Sequence, residues 1–174
     1  LWDVIALPPL KPAMTGKPYL IFEDDQGYAE QLIQALNINS QQTIYRVRPG
    51  DQFMQIDSSH FIINPHQQKD IEALLKAIIL LHGSIEGIVN FWPINLSLTK
   101  NLSLTSAIEA HCQFLLKLSQ SLISSSISAN FSLCNVTQGA HSIQGLAREI
   151  DLSFAPLLGM SLSIASEHPE LNIK

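Results

Sequence analysis

The sequence predicts an α/β fold of the Rossmann type, three layers around a mostly parallel sheet. Three observations predict it. Short apolar runs alternate with amphipathic stretches at helical spacing from Tyr19 to Ser166, and strands alternating with helices pair in parallel through right-handed crossovers. The first unit, "YLIFEDDQGYAEQL" (19–32), has the strand, turn and helix where such folds keep their ligands. The chain has 174 residues, enough for one domain with a sizeable core.

The elements follow in order. Trp2 to Ile5 reads as an isolated strand, with Pro8, Pro9 and Pro12 forming a stiff lead-in over 1–18. Tyr19 to Phe22 is a buried strand. Tyr28 to Leu36 is a helix with Leu32, Ile33 and Leu36 on one face, and Asn37 and Asn39 end it. Thr43 to Val47 is a second strand, closed by Pro49-Gly50. Phe53 to Ile56 and Phe61 to Ile63 flank Asp57-Ser58-Ser59, which suits a hairpin or a pair of short edge strands. Asp70 to Leu81 carries Ile71, Leu74, Leu75, Ile78 and Ile79 at helical spacing and stops at His82-Gly83. Gly87 to Phe91 is a third core strand. Thr105 to Ile123 is the longest helix, with Ile108, Cys112, Leu115, Leu116, Leu118 and Leu122 apolar. The serine-rich 119–128 reads as its end and a turn, Phe131 to Val136 as a fourth core strand, and Pro156 to Ser166 as a last helix stopped by Pro169.

Composition narrows the function classes. At 46% hydrophobic and 14% charged residues, the chain either buries much of its surface or keeps a face for a partner. A net charge of −5 argues against a nucleic-acid partner, because no basic run is present to neutralise phosphates. No run approaches the ~18 apolar residues of a membrane span, and no basic segment followed by an apolar one marks a signal peptide. A cytoplasmic location is expected. Leu1 in place of Met reads as a piece of a longer chain. Cys112 and Cys134, with no C-x-x-C spacing, read as a buried, reduced pair. The sequons at Asn95, Asn101, Asn130 and Asn135 carry little weight without secretion.

The chemistry at the first turn can be tested residue by residue. A dinucleotide turn needs closely spaced glycines so that backbone amides approach the pyrophosphate. Only Gly27 is present, and Glu23, Asp24 and Asp25 place carboxylates where phosphate charge would sit. The second strand ends Arg46-Val47-Arg48, without the acidic residue a ribose requires. The alternative is a receiver-like phosphorylation domain holding magnesium on Asp24 and Asp25, since paired carboxylates suit a hard cation. It also needs an acceptor Asp on a neighbouring strand, where Asn64 and Asn90 stand, and a Lys after the last strand. His111 and Cys112 are adjacent on a helix and point about 100° apart. The histidines show no ligand spacing, His168 reads as a helix terminator, and Tyr19, Tyr28 and Tyr45 lack a Lys four residues on. No catalytic, cofactor-binding or metal-binding residues are assigned, and the acidic turn is read as solvated.

Separated motifs then agree on one family. "LWDVIALPPLKP", "YLIFEDDQGYAEQL", "YRVRPGDQF", "GIVNFWPI" with Trp92, "CNVTQGAH" and "APLLGMSLSIASEHPELNIK" stand in order over most of the chain. Together they resemble the structural subdomain of the ketoreductase in modular polyketide synthases, which is related to short-chain dehydrogenases/reductases. The resemblance implies a truncated Rossmann fold over 1–174 that has lost cofactor binding and precedes a catalytic half. It implies that this half binds NADPH and reduces a β-ketoacyl group on an acyl carrier protein to β-hydroxyacyl. The implied partners are the catalytic subdomain and neighbouring domains of the same polypeptide, with the carrier protein reached indirectly. The serine-rich "SLISSSISAN" and the few glycines depart from the family pattern and leave the loops open.

Overall fold

Among the described residues, six strands form one sheet in the order β3-β4-β2-β1-β5-β6. A computed structural model describes residues 16–39, 42–95, 98, 101–125, 131–141 and 150–174. The N-terminal strand at Trp2 to Ile5, most of the lead-in and the end of the serine-rich stretch lie outside the described residues. The strands are β1 (Tyr19–Phe22), β2 (Ile44–Pro49), β3 (Met54–Gln55), β4 (His60–Ile63), β5 (Gly87–Asn90) and β6 (Ser132–Asn135). The helices are α1 (Tyr28–Asn39), α2 (Gln68–His82), α3 (Leu104–Ser124) and α4 (Ala155–Glu167). Short 3-10 turns occupy Trp92–Ile94, Leu152–Phe154 and Pro169–Leu171.

Every pairing is parallel except β3 with β4. β1 lies at the centre between β2 and β5, and Leu20, Ile21 and Phe22 are all buried, as befits a strand covered on both faces. The hairpin expected at Asp57-Ser58-Ser59 exists, with Asp57 Oδ1 accepting the N–H of Ser59 (2.7 Å) and of His60 (2.8 Å). Of the two hairpin strands, β3 lies at the sheet edge. β4 lies inside, parallel to β2, because Phe61 and Ile63 are core residues. The link from β2 to β4 therefore carries this hairpin and no helix. Right-handed crossovers place α1 on one face and α2, α3 and α4 on the other.

Several element ends move by a few residues. β2 runs on to Pro49, a residue that tolerates a strand end because it has no N–H to pair. Gly50 then donates to Ile63 O at 2.8 Å, and a Cβ there would meet Ile62 Cγ2 at 2.2 Å, so this close approach needs glycine. α2 spans a turn more than the apolar pattern and ends on Gly83, whose φ of 71° is left-handed. α3 starts at Ser103, whose side chain accepts the N–H of Ser106 at 3.2 Å.

The core beneath β1 and β5 is aromatic. Phe22, Trp92 and Phe114 form a triangle with ring centroids 4.9, 5.2 and 4.5 Å apart, each pair adding ~0.5–1.5 kcal/mol beyond burial. The stripe of α3 facing this core differs from the expected one. Ala107, His111, Phe114, Leu115, Leu118 and Leu122 are buried, whereas Leu116 and Ile123 are exposed and Cys112 is only half-buried. Cys134 is half-buried too, so both are free thiols as expected but less buried than expected. Burial pushes both thiols above their ordinary pKa, which suppresses thiolate chemistry.

Candidate functional site

The strand order reverses between β1 and β5, so the crevice above their carboxyl ends is where an open α/β sheet binds ligands. A cavity of about 510 Å3 lies beside it, over the carboxyl ends of β1 and β2 at the start of α1, lined by Glu23, Asp24, Asp25, Glu30, Arg46 and Arg48 among others. Each of its charged groups can be followed.

Asp24 is bonded to the start of α1. Its Oδ2 accepts the N–H of Gln26 (2.9 Å) and of Tyr28 (3.1 Å), and its Oδ1 accepts the N–H of Ala29 (2.8 Å). The first N–H groups of a helix lack internal partners and, with the helix dipole, attract anions. Here the chain's own carboxylate takes them. A pyrophosphate would have to displace it. Replacing Asp24 with Ala removes this cap, and the expected result is a loss of ~0.5–2 kcal/mol in chemical denaturation.

Glu23 is the correction to the solvated turn. It is 4% exposed and accepts from Arg46 Nε and, at 2.7 Å, from Arg48 Nε, while Arg46 Nη2 reaches Glu30 at 2.6 Å. Arg46 and Arg48 alternate along β2 and so share one face, which is the face of α1 that carries Glu30. The Glu30 carboxyl is held below its usual range by the Gln34 side chain and by Arg46. Asp25 is exposed, as expected of a solvated carboxylate.

The turn after β5 is stitched to this one. Phe91 N–H donates to Phe22 O (3.0 Å), Gln26 Nε2 donates to Ile94 O, and Asn95 Nδ2 donates to Glu23 O (3.2 Å). Asn95 is consequently buried, which closes that sequon to a glycan. Asn90 ends the strand beside β1, where a receiver needs its acceptor carboxylate. It is an amide that donates to Asn135 Oδ1 (2.9 Å) and accepts from Trp92 N–H (3.2 Å). Among the described residues, no three His, Cys, Asp or Glu side chains are placed to hold a metal ion.

The remaining candidates are scattered. His168 caps the end of α4, where its Nδ1 bonds Glu170 Oε1 at 3.0 Å. His111, 7% exposed, stacks on Phe154 with centroids 5.3 Å apart. Burial lowers its pKa, while Asp151 acts weakly in the other direction. The folded state therefore binds this proton less readily than the unfolded one, so stability falls as pH drops below 6.5. His111→Phe is expected to remove that part of the acid sensitivity, read from denaturation midpoints across pH.

A family described as beta-ketoacyl synthase-like, N-terminal, matches residues 17–172. The chain belongs to that family. Its resemblance to the structural subdomain of polyketide synthase ketoreductases stands with this match. No curated protein matches the chain. Among solved structures, a multidomain structure of a keto acid-selecting NRPS module, comprising adenylation, ketoreductase and pseudo Asub domains, superposes with a TM-score of 0.77 at 23% identity, over 96% of this chain and 14% of that one. An N-terminal ketoreductase from the macrolactin assembly line gives 0.55 at 16% identity, over 70% and 25%. A short-chain dehydrogenase/reductase from Saccharomyces cerevisiae gives 0.62 at 12%, over 90% and 67%. The fold is thus that of short-chain dehydrogenases/reductases, and the family chain spans a small fraction of the first two relatives. No helix among the described residues is long and apolar enough to cross a membrane.

Sequence reasoning missed the Glu23–Arg46–Arg48–Glu30 cluster. The signal was available in Arg-x-Arg at strand period, which sets two cations on one face. Their partners lie 23 and 16 residues away from Arg46, beyond the reach of local pattern.

Proposed function

We propose that this chain is the non-catalytic structural subdomain that supports the NADPH-dependent ketoreductase half of a polyketide synthase module. That half, on this reading, reduces a β-ketoacyl group on an acyl carrier protein to β-hydroxyacyl, in the cytoplasm, while the present chain binds no cofactor. The observation that carries the reading is α4. It has Leu157, Leu158, Met160, Leu162 and Ile164 among its 13 residues yet buries only Leu157. A helix apolar on so many sides belongs inside a protein. Leu162 is 74% exposed, and α3, which packs on α4, exposes Leu116 and Ile123. A second Rossmann unit docked over α4 accounts for this surface.

The self-satisfied turn at Asp24 supports the non-catalytic part, because its amides are already bonded. Titration calorimetry tests this part: NADPH added to the chain is expected to give no saturable heat, and tight binding would refute the reading.

A further inference from the structure

We propose that Gly159 is the point at which a helix of the second Rossmann unit crosses α4, with an aliphatic side chain of that helix seated over the glycine. The two axes then lie about 8 Å apart, the short end of the range for packed helices. The inference rests on the supporting role proposed above. It goes beyond that role by naming the kind of element that covers α4 and the residue that sets how closely it packs.

Three observations define the partner element. The first is a glycine that this chain does not need. Gly159 lies inside α4, where only proline is less favoured. Glycine is kept at such a cost for left-handed backbone or for close approach of a neighbour. Gly159 has no positive φ, and a Cβ built on it meets nothing within 4 Å among the described residues. The second is relief. Ala155, Gly159, Leu162, Ser163 and Ser166 share one face at helical spacing, all exposed and turned away from the buried Leu157. Leu162 is the one bulky side chain among them and is 74% exposed. Gly159 lies one turn from it, so the face offers a knob and a hole, which a second helix fills with a hole and a knob of its own. A flat sheet laid on Leu162 would leave the space over Gly159 empty, and close packing disfavours such voids. The third is charge. No charged residue stands between Ala155 and Ser166. A charge on the crossing helix would be desolvated there without a partner, so its contacting side chains are aliphatic.

Amide hydrogen exchange over α4, read by mass spectrometry, tests this in the full-length polypeptide beside the 174-residue chain. The parent α4 is expected to exchange about tenfold or more slowly in the full-length polypeptide, where it is covered. Gly159→Leu fills the hole and is expected to return that rate to the one seen in the 174-residue chain, with reductase turnover falling in step. In the 174-residue chain the same change is expected to raise Tm by roughly 2–4 °C, because leucine favours helix and nothing opposes its side chain. Lost protection beside a raised Tm is a docking defect and not a folding one. Gly159→Ala, which adds one methyl group, is expected to fall between the parent and Gly159→Leu in exchange. Equal exchange of the parent α4 in both polypeptides would remove the docking face and this inference together. Protection that Leu162→Asp abolishes and Gly159→Leu leaves intact would overturn this inference alone. So would a lowered Tm for Gly159→Leu in the 174-residue chain, which would give the glycine a place in the chain's own packing.

Discussion

If this chain supports a ketoreductase as proposed, Leu162→Asp in the full-length polypeptide is expected to lower reductase turnover by about tenfold or more, since a charge forced into an apolar contact costs several kcal/mol. In the isolated chain the same change is expected to be close to silent, with Tm within ~2 °C of the parent, because exposed substitutions fall within ~0.5 kcal/mol. The contrast is the point of the experiment. Leu162 projects from α4 into solvent, so it contributes little to this chain's own core. If a catalytic half covers α4, the Asp must be desolvated there without a partner. Equal turnover in the variant and parent polypeptides would remove α4 as the docking surface and leave the supporting role without its main observation.

Glu23→Ala is expected to produce the largest loss of stability from a single change at the crevice. Glu23 is buried and is the shared partner of two arginines. Breaking a buried pair by removing one member costs ~3–5 kcal/mol, because the other charge stays behind. Arg48 is largely solvated and Arg46 partly so and still held by Glu30, which brings the expectation down to ~2–4 kcal/mol. For a chain of this size that is roughly 5–12 °C in Tm. Replacing Glu23 and Arg46 together with leucine is expected to recover part of the loss, since a buried pair exchanged for apolar groups is near neutral. Thermal melts of the single and double variants check both statements. A single variant as stable as the parent would show the cluster to be ornamental.

How much of this was legible in the chain depends on the range of the interaction. β1, α2 and β5 could be read directly. Continuous apolar runs such as Leu20–Phe22 mark strands buried on both faces, and Ile71, Leu74, Leu75 and Ile78 repeat at the helical period. The buried stripe of α3 was harder. Leu116 and Ile123 look as apolar as Leu115 and Leu122, so composition alone cannot tell a residue facing this core from one facing outward. His111, polar by type, went inside because it lies on the turns of Ala107, Phe114 and Leu118. The hairpin at Asp57 was visible as a local turn, but its consequence was not. That β4 enters between β3 and β2 is a question of which strand each edge meets, and no local spacing encodes it.

The first turn divides along the same line. By itself the sequence set the expectation that "EDDQG" cradles no pyrophosphate, because spacing of glycines and sign of charge are local properties. It also determined the family, through ordered motifs over most of the chain. Only the tertiary structure decided how the three carboxylates are placed: Glu23 buried between two arginines of β2, Asp24 bonded to the amides of α1, Asp25 exposed at the surface. Those roles depend on β2 lying next to β1 and on α1 packing across them. Proximity between distant parts of a chain is set by the fold as a whole, and the fate of each charge follows from it.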